Sequence, residues 1–540
     1  MNKPIAPPQD LIGSEDSSRL LDALRRGATR RDLLAMLMGG GMQVALATTA
    51  AGWATTAQAE TPRRGGRLRV AGASSSINDT LDPARQASQS DYIRCNMFYN
   101  GLTVLDNALV AQPALAESFS HQKATLWTFK LRKGVQFHDG RALTPADVVF
   151  SLNRHKDPAV ASRAKTLADE IEEVRQSGPN EVQVRLKTAN ADFPAILGTY
   201  HFKVVPDGTT DFSKGIGTGP FKCKEFKPGG RSLAVRNESY WRPDRPYLDE
   251  IEYVGIGDES ARVNALLSGG LDLVAAVDPR SSQRIGQTPG YGVFVAPSGQ
   301  YSDLVMRRDN GPGSNPDFVL AMKHLFNREQ MRKSIALGNA AIGNDQPIDP
   351  TNRYFNAALP QRAFDLDKAK FHLRKSGLGS GAIPIVASPA ATYSVEMALV
   401  LQQTARQIGL NLEVKRMPAD GYWSNHWMKS PIGFGNTNPR ATADILFTQF
   451  FKSDATWNES GWKSEQFDQL LLAARGEADE ARRKSLYGDM QVLVHEQGGV
   501  GIPLFISSLD AHSSKVRGFV PMPLGGMMGT AFAEHLWLAA

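Results

Sequence analysis

"WTFKLRKGVQFHDGRALTPADVVFSLNR", residues 127–154, decides the fold class. Trp127, Phe129 and Leu131 alternate with Thr128, Lys130 and Arg132, the period of a strand with one buried face. Lys133-Gly134 then turns the chain. Further on, Thr144 stands as an N-cap, Pro145 takes the first helical position and Asp147 falls in the first turn, which predicts a helix start. His138 and Asp139 lie between strand and helix. Neighbours in extended chain point to opposite faces, which is poor geometry for a shared metal or a catalytic dyad. Zinc needs three or four converging ligands, and His155 is the only other histidine nearby. Asp139-Gly140 suits a chain reversal, so the pair is read as a turn in an α+β stretch.

The same α/β alternation continues outward. "GGRLRVAGASSSINDTLDP" alternates Leu68 and Val70 with Arg67 and Arg69, then breaks into small polar residues, and reads as an edge-near strand feeding a loop. "EVQVRLK" repeats the half-buried strand pattern. Phe467, Leu470, Leu471 and Ala474 fall at helical spacing, as do Leu486, Met490, Leu493 and Val494. Gly498 and Gly499 end that second helix, and "VGIPLFIS" reads as a buried strand. A helix pair running straight into a strand returns the chain to an earlier sheet, so discontinuous domains are expected.

At 540 residues the chain is too long for one hydrophobic core, and two or three packed units are expected. Apolar content of 41% with 21% charged residues is that of an ordinary globular protein. The net charge of +6 is scattered among acids and forms no basic stripe, which argues against nucleic-acid binding.

The N-terminal region reads as an address. Arg30-Arg31, followed by a mildly apolar, glycine-rich run and by Ala57-Gln58-Ala59, has the layout of a cleaved twin-arginine export signal over residues 1–59, with cleavage after Ala59. Residues 33–54 carry no charge and are long enough to span a bilayer, but their glycines and threonines and the small-residue exit favour cleavage. A periplasmic location follows. Two cysteines, Cys95 and Cys223, exclude a disulfide framework and leave a single bridge open.

A search for chemistry finds no G-x-S-x-G, no Walker loop, no H-E-x-x-H and no C-x-x-C. "GIGTGP" carries glycines at 215, 217 and 219, but Pro220 and a strand follow where a dinucleotide site needs a helix, so it reads as a turn. No catalytic residue, metal site or cofactor is assigned, and the chain is not read as an enzyme.

Taken in order, "PALAESF", the opening stretch, "GTGPFKCKEFKPGG", "LAVRNESYWRPDRPYLDEIEY", "LAMKHLFNREQM", "DLDKAKFHLRKSG" and the segment from Lys463 resemble the family 5 extracellular solute-binding proteins of the dipeptide, oligopeptide and nickel class, which serve ABC importers. The resemblance runs from about Gly65 to the end. It implies an α/β fold of the type II periplasmic-binding-protein kind, with two hinged lobes and a small subdomain inserted in the first. The expected parts are a discontinuous lobe I (60–99, 206–301 and 501–540), an insertion (100–205) and lobe II (302–500). The chain would cross the hinge near "GQYSDLVMR" and "GVGIPLF". The implied partners are a small peptide or peptide-like solute and a membrane permease, with the receptor a monomer.

By the same analogy the ligand would meet the loop after the first strand, the hinge near Tyr301, and residues 421–451. Ser75, Ser76 and Asn78 can bond a ligand or cap their own loop. Trp423, Trp427 and Trp457 can stack on a ligand or sit in the core. The family's peptide binders carry an aspartate here that pairs with the peptide amine; this chain reads "GFGNTNPRATADIL", with Asn436, Asn438 and Arg440 instead. Arg440 in the cleft would favour an anionic group; Asp444 is the nearest acid, but Thr442 before it also fits a helix cap. The readings set against a peptide receptor are an exported hydrolase and a receptor for a metal chelate or haem.

Overall fold

The computed structural model describes residues 61–539. The chain separates into the units Met1–Pro62 and Arg63–Ala540, of which the second is described here. The export signal read over 1–59 lies outside the described residues. Among the described residues no helix is long and apolar enough to cross a membrane.

After β1 (Arg67–Gly72) and helix α1 (Gln89–Phe98), the chain builds a small sheet from β2 (Ala116–Gln122), β3 (Leu126–Leu131), β4 (Ile171–Gly178) and β5 (Glu181–Leu186), with helix α2 (Pro145–Asn153) between β3 and β4. It then returns with β6 (Phe221–Phe226), β7 (Arg231–Arg236), β8 (Glu250–Gly255), β9 (Leu273–Val274) and the sixteen-residue β10 (Tyr291–Met306). Next come β11 (Ile383–Ala387), β12 (Leu412–Arg416), β13 (Ile432–Thr437) and helices α3 (Ala443–Phe450), α4 (Glu465–Gly476) and α5 (Glu480–Gln497). β14 (Leu504–Ser513) closes the main sheet, whose path runs β12-β11-β13-β10-β14-β9-β1-β8-β7-β6.

β1 is not near an edge. It pairs in parallel with β8 on one side and β9 on the other. The alternating arginines misled because their charges are met at the strand's start: Arg67 reaches Glu252 at 2.6 Å and Arg69 reaches Asp272 at 2.8 Å. Leu68, Val70 and Ala71 are fully buried.

β10 joins the two ends of the sheet. Tyr291–Ala296 pair with β14, Tyr301–Met306 pair with β13, and the register with β14 shifts between Ala296 and Gln300. Pro297, Ser298 and Gly299 therefore lie where the ladder lapses.

The small sheet has the order β2-β3-β5-β4 and is antiparallel throughout. Its core takes Trp127, Phe129 and Leu131 from β3, Val182, Val184 and Leu186 from β5, and Val148 and Leu152 from α2. Ala441 and Ile445 from the far end of the sequence complete it. α2 starts as its sequence chemistry requires: the Thr144 N–H donates to Asp147 Oδ2 at 2.7 Å, closing a capping box around Pro145.

His138 forms part of a joint between two turns. Its N–H donates to Gly217 O at 2.8 Å, and Gly217 N–H donates back to Nδ1 at 3.3 Å. The ring proton therefore belongs on Nε2, which donates to Gly219 O at 3.1 Å. Burial lowers the imidazole pKa to about 4, consistent with this neutral form. "GIGTGP" thus packs on the turn that holds His138, and it needs glycine because a Cβ on Gly217 would lie 2.2 Å from Phe98 O.

Cys95 and Cys223 are both free. Cys95 is buried in α1, whereas Cys223 is half-buried beside a bulge in β6, where the register shifts between Cys223 and Glu225. That bulge is why the alternation of "FKCKEF" is imperfect.

Candidate ligand-binding cleft

Arg440 is the charged centre of a junction where distant segments meet. "TNPRAT" leaves β13 as an irregular turn before Thr442 caps α3, accepting from Ile445 N–H at 3.1 Å. The guanidinium is held from behind: Nε donates to Gln449 Oε1 at 2.8 Å, Nη1 donates to Asn438 O at 2.9 Å, and the group lies 5.3 Å from the centre of the Phe450 ring. Nη2 makes no hydrogen bond among the described residues. Burial lowers the pKa from the ordinary guanidinium value, opposed by the hydroxyls of Tyr200, Tyr301 and Tyr92, and the group stays charged.

Those tyrosines bring the front of the molecule to Arg440. Tyr92 of α1 stacks on Tyr200, ring centres 3.9 Å apart, and His201 packs edge-on against Tyr92. Tyr301 on β10 is fully buried, with its ring against Phe505.

Arg440 lines a cavity of about 10 Å³ together with Gly299, Asp349, Asn352, Leu109 and Pro523. That is room for about one water molecule, so the walls must part to admit any larger solute. Asp349 was missed in the sequence, where "PIDPT" shows only turn chemistry. Its Oδ1 accepts the Thr351 N–H at 2.9 Å and the Thr351 hydroxyl, and its Oδ2 is left without a hydrogen bond from another residue among those described. Burial raises its pKa from the usual carboxyl value.

The remaining site candidates divide. Trp457 is 43% exposed and packs on Phe450, 5.6 Å between ring centres, the same ring that Arg440 approaches. Trp427 donates its indole N–H to Glu459 at 2.5 Å, and Trp423, 41% exposed, packs edge-on against it. Glu459 in turn crowds against Asp303 over Gly435: a Cβ there would fall 2.2 Å from Glu459 Oε2 and 2.8 Å from Asp303 Oδ1.

Ser75, Ser76 and Asn78 are exposed on the loop after β1. Ser76 Oγ accepts the Asn78 N–H at 3.1 Å, the self-capping alternative. Asp444 is buried and receives the Arg475 Nε–H at 2.9 Å, and burial raises its carboxyl to about 6. It is committed to that ion pair.

The profile of the bacterial extracellular solute-binding proteins, family 5 Middle, matches residues 110–459. The chain belongs to this family. Among curated proteins it is similar to the glutathione-binding protein GsiB of Escherichia coli K12, 24% identical over 464 residues that cover 82% of this chain and 90% of GsiB. It is similar also to heme-binding protein A of Haemophilus influenzae, 25% identical over 482 residues, covering 81% of this chain and 86% of that protein. Among solved structures, the periplasmic binding protein DppA of Helicobacter pylori in complex with peptide STSA superposes with a TM-score of 0.74 at 24% identity, covering 88% of this chain and 99% of DppA. CtaP of Listeria monocytogenes, an ABC transporter substrate-binding protein, gives 0.78 at 20% identity, covering 88% and 100%. This family 5 member therefore has the type II periplasmic-binding-protein fold anticipated from its motifs, and its relatives are binding proteins.

Proposed function

We propose that this family 5 protein is the periplasmic receptor of an ABC importer and that it closes two lobes over a small, anionic, peptide-like solute. The observation that carries the reading is Arg440, a charged guanidinium held by Gln449 and Asn438, in a residue that lines a cavity with residues 109, 299, 349 and 523. A fixed fork of donors suits a carboxylate, where an aspartate would suit an amine. Relatives named for glutathione and for a bound peptide support a peptide-like solute.

The parts proposed are lobe I (60–99, 206–301 and 501–540), the insertion (100–205) and lobe II (302–500), hinged where β10 loses register at 297–299 and where residues 499–505 return. Ligand stabilises the closed form only by its greater affinity for it. Arg440 and Trp457, which both approach Phe450, are proposed contacts together with Tyr301; Trp423, Trp427, Ser75, Ser76 and Asn78 are assigned to the outer walls.

Native mass spectrometry of freshly exported protein identifies the co-purified solute, and calorimetry with Arg440→Ala measures the role of the charge. The expected result is an anionic small molecule bound at least tenfold more weakly by the variant. Unchanged affinity removes Arg440 from the site, a bound haem or metal chelate replaces the peptide-like solute, and steady turnover of a peptide or ester would make the chain a hydrolase.

A further inference from the structure

With the boundaries proposed above, the insertion and lobe II share no chain connection, since each leaves and rejoins lobe I. They touch nevertheless. Asp192 is buried, and its N–H donates to Asn190 Oδ1 at 2.9 Å. Its carboxylate lies 3.2 Å from Arg483 and 3.3 Å from Arg353. Beside it the Ala191 N–H donates to Arg475 O at 2.9 Å, and a Cβ on Gly476, the last residue of α4, would lie 3.4 Å from Ala189 Cβ. The socket that receives Asp192 belongs to lobe II alone. The centre of the Tyr354 ring is 4.7 Å from Arg353 and 5.3 Å from Arg483, and Glu480 Oε2 accepts from Arg483 Nη2 at 3.0 Å and from the Tyr354 hydroxyl at 3.2 Å. The insertion is tied instead to lobe I, where Arg154 donates to both oxygens of Asp82 at 2.8 Å and Tyr92 stacks on Tyr200.

The cavity of about 10 Å³ is walled by Leu109 of the insertion, Gly299 and Pro523 of lobe I, and Asp349 and Arg440 of lobe II, so admitting a solute means moving lobe II away from the other two. That movement draws Asp192 out of its socket. We propose that Asp192 is a positioning residue for solute capture, the catch that holds the lobes shut, and that its ion pairs form in the closed state only. The inference rests on the receptor reading above. Asp192, Arg353 and Arg483 do not line the cavity, so the catch acts on every solute alike. Its chemistry suits release: withdrawing charges from water offsets much of their mutual attraction, and water takes the charges back when the pair separates. Glu480 stays with the arginines, so the empty socket keeps an anion of its own. Apparent affinity scales with the fraction of molecules able to hold the closed form, so losing the catch weakens capture without disturbing a solute contact.

Small-angle X-ray scattering of solute-stripped protein tests this, using Asp192→Asn, Arg353→Gln and a reversible tether. The tether pairs Ala189→Cys with Gly476→Cys, whose Cβ separation is close to the value of about 3.8 Å found in disulfides. Asp192→Asn is expected to shift the stripped protein to a larger radius of gyration than wild type. Arg353→Gln, the milder change, is expected to shift it less in the same direction, and it reads the effect should Asp192→Asn not fold. Oxidising the tether in either background is expected to restore the wild-type radius until reductant is added. An unchanged radius in the variants, or an increase that the oxidised tether does not reverse, overturns the inference, the second result marking Asp192 as a fold-stabilising residue only. Freshly exported wild-type protein, measured before and after stripping, separates this from the receptor reading. A radius that responds to stripping while the variants match wild type leaves a receptor without this catch, whereas a radius that neither stripping nor substitution moves sinks both.

Discussion

The Asp192 carboxylate lies 3.2 Å from the Arg483 guanidinium, and a second cation, Arg353, approaches the same carboxylate to 3.3 Å. Asp192 follows the small sheet in sequence, whereas Arg483 stands on α5, so one buried anion joins two distant parts of the chain. The contact is reinforced by the Ala191 N–H, which donates to Arg475 O at 2.9 Å. Asp192→Asn would leave the guanidiniums of Arg353 and Arg483 with only the exposed Glu480 carboxylate between them. Removing one partner of a buried pair costs about 3 kcal/mol or more, so the variant is expected to unfold at a clearly lower denaturant concentration. Arg353→Gln, on the more exposed partner, should cost less.

The Asp303 oxygens meet no donor among the described residues, and Glu459 crowds the same space. Burial and the neighbouring carboxylate raise the Asp303 pKa well above its usual value. Tyr301 and Tyr422 face the pair, and no cation among the described residues does. A folded-state pKa above the unfolded value, about 4, means the folded protein holds the extra proton. Stability is therefore fully present below about pH 4 and falls as pH rises to the folded pKa. Asp303→Asn should flatten this slope and raise the melting temperature at neutral pH, read by thermal scans across pH.

His138 predicts the opposite slope. Its folded pKa of about 4 lies below the usual histidine value, so stability is lost as pH falls from about 6.5 through 4. His138→Ala removes the ring's bonds to Gly217 N–H and Gly219 O, keeps the backbone bond, and is expected to cost about 1–3 kcal/mol at pH 7 while abolishing its share of the acid dependence.

Gly217→Ala would press a methyl group onto Phe98 O. Overpacking of this kind costs roughly 1–3 kcal/mol, so the variant should melt several degrees lower, with the near-ultraviolet circular dichroism spectrum as a check on packing.

Reductant should leave the melting temperature unchanged, because both cysteines are free. Burial raises both thiols, Cys223 to about 11, so native protein should resist alkylation at pH 7 and label at both positions in denaturant.

What the sequence shows and hides follows the range of the interactions. The start of α2 was legible because Thr144, Pro145 and Asp147 satisfy one another within a single turn. β1 was misplaced because the acids that neutralise Arg67 and Arg69 lie far along the chain. Arg440 stood out in the sequence only as a cation where the resemblance implies an acid, and its direction was not legible, since Gln449 and Phe450 set it through the fold. Asp349 and the Asp303–Glu459 pair gave no local signal at all. Only the folded chain sets each beside its partners.

The lapse in β10 at Pro297, Ser298 and Gly299, as the proposed hinge, would limit how this protein flexes. A proline there holds one torsion nearly fixed, and the adjoining glycine, which has no side chain, can take up the swivel. With the hinge proposed above placed there, stiffening this stretch would act as a brake on the receptor, slowing capture and release together.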